Sequence, residues 1–188
     1  MREIEIKLRV DNVQSTRRRL RRLGFQPATP RLFERNVLFD TAGESLRGSG
    51  QLLRLRSKGR QWWLTYKARP ETATRHKVRY EIEIETAQGP ELGIILQRLG
   101  FRPSFEYQKY RTEYRFPGSR GHILLDETPV GNYVELEGPA GWIDRTAREL
   151  GYRPEDYILD SYGALYLTWC EERGIEPANM VFPAPAST

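Results

Sequence analysis

The segment EIEIK, from Glu3 to Lys7, alternates charged and apolar residues. Because successive side chains of a β-strand point to opposite faces, Glu3, Glu5 and Lys7 are predicted to share one face of a strand, with the isoleucines on the other. Carboxylates and an ammonium group held side by side could bind a hard cation and an anion together. On its own, the pattern is more typical of a sheet with one solvated face.

The same alternation returns in most later strand-like segments. Their charged faces carry Glu-x-Glu, Arg-x-Arg and Lys-x-Arg pairs, and the opposite faces are mainly apolar or aromatic. Together these faces hold Arg54, Arg56, Lys67, Arg79, Glu81, Glu83, Lys109, Arg111, Asp126, Glu135 and Glu137.

These matched charges favour an enclosed site over a solvated face. If the sheet curls so that helices cover its apolar face, the charged faces line a lumen of the kind that holds one small ligand. Buried charges without partners cost several kcal/mol each, so a ligand has to complete the set. Arginine and lysine suit phosphate oxygens, and carboxylates can face phosphate through Mg²⁺ or Mn²⁺. The inner face therefore predicts a metal–polyphosphate site.

The elements that must position these residues follow from periodicity and turn signals. The segments RRLGFQP, QRLGFRP and RELGYRP predict helix ends at Gly24, Gly100 and Gly151. A fourth helix is predicted over 161–172. The order of these elements indicates α+β with a large antiparallel sheet. If this sheet of about eight strands curls so that the helices pack outside, it forms a closed or nearly closed barrel. Residues 1–175 are predicted to form a single tunnel domain and residues 176–188 a loose tail. The predicted strands are 2–10, 32–40, 51–58, 61–68, 78–86, 105–116, 121–127 and 132–137.

Composition limits the function classes. The chain has 188 residues, a net charge of +5 and one cysteine, Cys170, so no internal disulfide can form. No apolar stretch reaches the length of a membrane span, and a cytoplasmic protein is expected. The arginine-rich helix that follows Asn12 could contact nucleic acid, but a solvated helix face is the commoner meaning of such a charge run. The sequence leaves a homodimer open.

The ordered motifs resemble the CYTH domain family, the triphosphate tunnel metalloenzymes. EIEIK is similar to the ExExK signature of that family, and further pieces match in order over about residues 1–170. These pieces are FDT (Phe39–Thr41), LLRLR (Leu52–Arg56), YK (Tyr66–Lys67), KVRYEIEIE (Lys77–Glu85), LLDETPVGNYVELEG (Leu124–Gly138) and SYGALYL (Ser161–Leu167).

The resemblance implies the fold class, an α+β eight-stranded antiparallel closed β-barrel (tunnel) with helices packed outside. It also implies roles for individual residues. Glu5, Glu135, Glu137 and Lys67 are the expected catalytic residues. The implied ligands of Mg²⁺ or Mn²⁺ are Glu3, Glu5, Glu81, Glu83, Asp126, Glu135 and Glu137. The implied triphosphate-binding residues are Lys7, Arg54, Arg56, Lys67, Arg79, Lys109 and Arg111.

The expected activity is metal-dependent hydrolysis of the terminal phosphate of tripolyphosphate or an organic triphosphate. A class IV adenylate cyclase, making cyclic AMP and pyrophosphate from ATP, stays open, as does a non-catalytic polyphosphate- or nucleotide-binding module. Leu38 stands close to a position where many relatives have tyrosine, which argues against thiamine triphosphatase chemistry. The two histidines are weaker candidates: His76 is expected to be exposed, and His122 to begin a strand near the tunnel.

Overall fold

The computed structural model of the protein describes residues 2–71 and 75–184. Within these ranges the strands are β1 (Arg2–Val10), β2 (Gln26–Pro27), β3 (Leu32–Asp40), β4 (Leu52–Lys58), β5 (Gln61–Lys67), β6 (Lys77–Thr86), β7 (Arg102–Arg115), β8 (His122–Thr128) and β9 (Gly131–Glu137). The helices are α1 (Val13–Arg22), α2 (Ser45–Gly48), α3 (Gly89–Arg98), α4 (Ala140–Glu149) and α5 (Tyr162–Glu171), with a short 3-10 helix at Pro154–Asp156.

Eight antiparallel strands close into a barrel. The pairing runs β7–β3–β4–β5–β6–β1–β9–β8, and β8 returns to β7. The long strand β7 makes this closure, since Arg102–Arg111 pair with β3 and Tyr110–Arg115 pair with β8. The short strand β2 adds to β7 outside the ring. The predicted fold class is therefore confirmed; β2, α2 and the 3-10 helix are the elements that the sequence did not predict.

Strand β1 shows how the alternation sorts the two faces. Ile6 and Leu8 are fully buried in an apolar core on the outside of the barrel, beneath α1 and α4. Leu20 of α1 and Ile143 of α4 complete this core and are also fully buried. The opposite face of β1 then has to point into the barrel, because neighbouring side chains alternate.

Glycines end three helices as predicted. Gly24, Gly100 and Gly151 have φ angles of +87°, +92° and +81°, a left-handed conformation that L side chains rarely adopt. After α1, the backbone N–H groups of Gly24 and Phe25 donate to the carbonyls of Arg21 and Leu20. This double closure is the Schellman arrangement, and it turns the chain back toward the sheet.

Helix α5 covers one end of the barrel. Its Tyr162 packs with Tyr107 and Tyr133 in an aromatic cluster, against which Leu38 also lies. Part of the segment predicted to be a loose tail is held here too. Met180 is 1% exposed, and its N–H donates to the carbonyl of Glu106 on β7. Residues 185–188 of that prediction lie outside the described ranges, and the division into domain and tail stays a prediction.

The outer face of β6 differs from expectation. Helices were expected to cover the apolar face of every strand, but Tyr80, Ile82 and Ile84 are 54%, 47% and 60% exposed. Strand β1 reaches β6 only as far as the pair Arg2–Tyr80. The helices instead cover the strands on either side of this region. Among the described helices, none is both long and apolar enough to cross a membrane.

Candidate active site

The charged faces of the strands meet in one central cavity of about 350 Å³. Of the fourteen site residues predicted from the sequence, thirteen line it: Glu3, Glu5, Lys7, Arg54, Arg56, Lys67, Arg79, Glu81, Glu83, Lys109, Arg111, Glu135 and Glu137. The fourteenth, Asp126, lies fully buried behind Lys109 and Arg111. The barrel thus brings together side chains that are far apart in the chain.

Three carboxylates form an acidic trio in this cavity. Oxygens of Glu3, Glu5 and Glu137 all lie within 4.8 Å of one another. The register explains the arrangement, because Glu5 is paired directly with Glu137 of β9 and Glu3 is two residues away on the same face of β1. An all-oxygen donor set at this spacing suits Mg²⁺ or Mn²⁺, which commonly bind through one or two carboxylates and substrate phosphates.

The members of the trio differ in their tendency to ionise. Burial raises the pKa of Glu3 to about 7, although Lys67 beside it acts in the opposite direction. Burial would also raise the pKa of Glu5, but Lys7 and Lys77 outweigh it and hold that pKa well below the usual range. Burial and the neighbouring carboxylates favour the neutral form of Glu3. A bound cation would favour its ionised form instead, because a carboxyl group has to lose its proton to act as a metal ligand. The residues present therefore fit a divalent metal.

A second group of charges surrounds Asp126. Its carboxylate accepts hydrogen bonds from Lys109 Nζ at 2.9 Å, Arg111 Nε at 2.7 Å and Tyr162 Oη at 2.6 Å. Arg111 also donates to Glu135, which lies 3.2 Å from Lys7 Nζ. In this structure Asp126 and Glu135 thus hold the basic side chains in place. Their predicted role as metal ligands stays a prediction.

The wall formed by β4, β5 and β6 holds a third set of pairs. Glu83 lies 2.9 Å from Arg56 and 3.4 Å from Arg54, and Lys67 Nζ lies 2.6 Å from Glu3 and 2.9 Å from Glu81. The guanidinium and ammonium groups therefore point into the cavity with their positions fixed. Such preorganised cations can bind phosphate oxygens without further ordering.

Several residues of the cavity were missed by sequence reasoning, and Lys77, Glu34 and Tyr162 show why. Lys77 lies 3.0 Å from Glu5, and burial together with Lys7 lowers its pKa to about 8. The sequence contained the information needed to predict Lys77, since it stands two residues before Arg79 and so continues the charged face of β6 toward its N-terminal end. Glu34 was hidden because Arg35 next to it breaks the alternation of β3. Tyr162 was assigned to an outer helix, and only the fold shows that it closes the cavity floor.

The histidines differ in position. His122 lines the cavity, and its Nε2 lies 2.9 Å from Glu137. The expectation that His76 is exposed was wrong: it is 8% exposed, and its Nε2 lies 2.8 Å from Asp144 of α4. Tyr157 Oη also donates to Asp144, so this cluster joins β6 to the outer helices.

Comparison with known proteins agrees with this geometry. The family model of the CYTH domain matches residues 1–162. A Methanocaldococcus jannaschii protein named "Putative adenylate cyclase MJ0240" is 28% identical over 135 residues, which cover 72% of this chain and 75% of that protein.

Two solved structures show the same fold at low sequence identity. A Vibrio parahaemolyticus protein described as a "putative adenylate cyclase" gives a TM-score of 0.76 at 19% identity over 87% of this chain and 96% of its own. HpAC1 of Hippeastrum, described as a "putative adenylyl cyclase" that reveals a dominant triphosphatase activity, gives a TM-score of 0.64 at 22% identity over 93% of this chain and 97% of its own. At such identities the likeness shows the fold alone.

Proposed function

This chain belongs to the CYTH domain family, and from that premise we propose that it is a divalent-metal-dependent triphosphatase. Its substrate is tripolyphosphate or an organic triphosphate bound in the central cavity, and the bond broken is the one to the terminal phosphate. We place this activity in the cytoplasm, as expected from the sequence. Nucleic acid is not the expected partner, and a homodimer stays open.

The balance of charge in the cavity carries the proposal. Ten lysine or arginine side chains and eight carboxylates line it, so its formal net charge is +2 with every carboxylate ionised and His122 neutral. The five residues that join the predicted thirteen are Glu34, Lys58, Lys77, Glu113 and Arg115. A triphosphate carries about four to five negative charges at neutral pH. The cavity thus compensates about half of that charge, and one divalent cation would bring the total close to neutrality.

The basic residues of the cavity can both bind the triphosphate and orient it. Arg54 and Arg56 on one wall and Lys109 and Arg111 on another can hold phosphate oxygens from different sides. Holding the chain of phosphates in one orientation lowers the entropic part of the barrier to attack by water. Tyr162 closes the floor of the cavity, so the substrate enters from the opposite end.

The acidic trio is the place for the cation. Glu3, Glu5 and Glu137 would hold it, and a bound divalent cation would neutralise charge that develops on the phosphate oxygens as the bond breaks. Lys67, paired with Glu3, is positioned beside that point and can stabilise the same charge. The basic residues alone would suffice for simple anion binding, so the presence of eight carboxylates in the cavity lining favours an enzyme over a binding module.

Adenylate cyclase activity is the second candidate, because the Methanocaldococcus jannaschii relative carries that name. In a cyclase the ribose 3′-hydroxyl attacks the α-phosphorus and pyrophosphate leaves. The same cations and acidic trio could serve this reaction with the triphosphate bound in another register. Hydrolysis is preferred here because the cavity is closed at one end by α5 and its volume of about 350 Å³ suits a triphosphate better than a whole nucleotide.

A substrate panel distinguishes the candidates. Tripolyphosphate, ATP and thiamine triphosphate are incubated with the protein in Mg²⁺ and then in Mn²⁺, and the products are identified. We expect orthophosphate from tripolyphosphate, with no product when EDTA removes the metal. Cyclic AMP plus pyrophosphate from ATP would instead establish the cyclase. Metal-dependent binding without any product would establish a binding module and contradict the proposal.

Replacement of Arg54 tests the phosphate-binding wall. Its side chain is 11% exposed, and its guanidinium donates a hydrogen bond to Tyr107 Oη at 3.2 Å. Arg54→Ala should raise KM for tripolyphosphate about tenfold to a hundredfold, since a hydrogen bond to a charged group contributes about 1.5–3 kcal/mol. Arg35→Ala is the matched control, because Arg35 pairs with Glu106 on the outer surface. Steady-state kinetics check the result; equal KM values for the two variants would contradict it.

A further inference from the structure

Glu34 is a buried carboxylate whose charge is poorly compensated. It is fully buried on the inner face of β3 and lines the central cavity. The nearest cationic atoms are Arg56 Nη1 at 3.6 Å and Lys109 Nζ at 3.9 Å. Neither of its carboxylate oxygens has a hydrogen-bond partner among the described residues. Buried polar groups are nearly always hydrogen-bonded, so this exception calls for an explanation.

The two cations near Glu34 are bound more closely by other acids. Arg56 lies 2.9 Å from Glu83, and Lys109 lies 2.9 Å from Asp126. These shorter pairs hold both cations without help from Glu34. A purely structural role as their counter-ion therefore leaves the position of Glu34 unexplained. Its carboxylate lies in the wall of the cavity that a triphosphate would occupy.

We propose that Glu34 is a specificity-determining residue that makes triphosphate binding depend on an accompanying divalent cation. The inference rests on the proposed function of the cavity. A buried carboxylate repels a bare polyanion strongly because the surrounding dielectric is low. A triphosphate that arrives with a divalent cation has about two fewer negative charges, so it meets less repulsion. Discrimination by an unfavourable contact with the wrong ligand is a common route to specificity.

The charge balance supports this reading. The cavity has a net charge of +2, so it can attract phosphate groups without metal. Loss of the Glu34 charge would raise that value to +3, and the variant should accept a metal-free triphosphate more readily. The effect should be much smaller for the metal-bound form, because the cation already neutralises part of the phosphate charge.

Isothermal titration with tripolyphosphate, once in EDTA and once in Mg²⁺, tests the inference on the full chain. Glu34→Gln should bind metal-free tripolyphosphate at least about tenfold more tightly than the unmodified protein. Its affinity for tripolyphosphate in Mg²⁺ should change by less. The dissociation constant in EDTA and the dissociation constant in Mg²⁺ should therefore differ by a smaller factor than in the unmodified protein. Glu34→Asp keeps the charge and should retain most of the dependence on Mg²⁺. It also serves as a second variant if the glutamine variant folds poorly.

Glu106→Gln provides the matched control. Glu106 lies on β7, which is paired with β3, and it bonds to Arg35 on the outer surface of the barrel. The Glu106→Gln variant loses one negative charge on the outer surface and none in the cavity. Its dissociation constants for tripolyphosphate, with and without Mg²⁺, should therefore equal those of the unmodified protein. A change in Glu34→Gln that is equal with and without Mg²⁺, or weaker metal-free binding, would overturn the inference while leaving the proposed function intact. Failure of the unmodified protein to bind tripolyphosphate in Mg²⁺ would overturn the proposed function, and the inference with it.

Discussion

Glu5→Gln is expected to lower the rate of phosphate release from tripolyphosphate at least about a thousandfold. Glu5 is 6% exposed and is the member of the acidic trio that Lys7 and Lys77 keep ionised. Glutamine has nearly the same shape but no charge, so the trio loses the ligand that is ready to bind a cation near neutral pH. Lys7 keeps Glu135 as a partner at 3.2 Å, and the fold should persist.

Two measurements accompany this result. The heat of Mg²⁺ binding should be lost or strongly reduced in Glu5→Gln, while the circular dichroism spectrum should match that of the unmodified protein. Glu106→Gln, which removes a carboxylate from the outer surface, should keep the full rate. A rate in Glu5→Gln within about tenfold of the unmodified protein would show that the trio does not hold the catalytic metal.

Asp126→Asn is expected to cause the largest loss of stability, about 3–5 kcal/mol in the free energy of unfolding. Asp126 is fully buried and accepts hydrogen bonds from Lys109, Arg111 and Tyr162. The neutral amide would leave two buried cations without their shared counter-charge. Asp160→Asn is the control, because Asp160 is exposed and forms no ion pair with the part of the chain that the structure describes.

The effect of Asp126→Asn should depend on pH. Burial would raise the pKa of Asp126, but Arg111 and Lys109 outweigh it and hold the pKa below the ordinary value of 3.8. The stability that the carboxylate contributes is therefore fully present above that value and is lost as the pH falls through the lowered pKa. Urea unfolding at pH 7 and near pH 3 checks this. A difference between the two proteins that grows toward low pH would contradict the assignment.

Alternation within single strands was enough to predict most of the cavity lining, whereas closure of the sheet into a barrel was predicted with the help of the resemblance to the CYTH domain family. EIEIK placed Glu3, Glu5 and Lys7 on one face because a strand has a side-chain period of two, and this holds whatever the partner strand is. The helix ends were equally local, since Gly24, Gly100 and Gly151 each adopt a conformation that other residues avoid.

Features that depend on partners across the barrel could not be predicted in this way. The pattern placed Glu135 and Asp126 among the acids, but that both of them pair with Arg111 depends on register and side-chain conformation. Tyr162 reaches the cavity only because α5 packs over one end of the barrel. The exposure of the outer face of β6 also depends on tertiary packing, because the residue pattern of a strand does not indicate whether a helix will cover it.

The most direct test of the account is a crystal structure of the protein with tripolyphosphate and Mn²⁺, with the metal located by anomalous scattering. We expect an anomalous peak bonded to carboxylate oxygens of Glu3, Glu5 and Glu137, and phosphate density against Arg54, Arg56 and Lys109. Mn²⁺ and tripolyphosphate bound outside the barrel, with the central cavity holding only water, would contradict the claim that the inward-facing charges form a metal–triphosphate site.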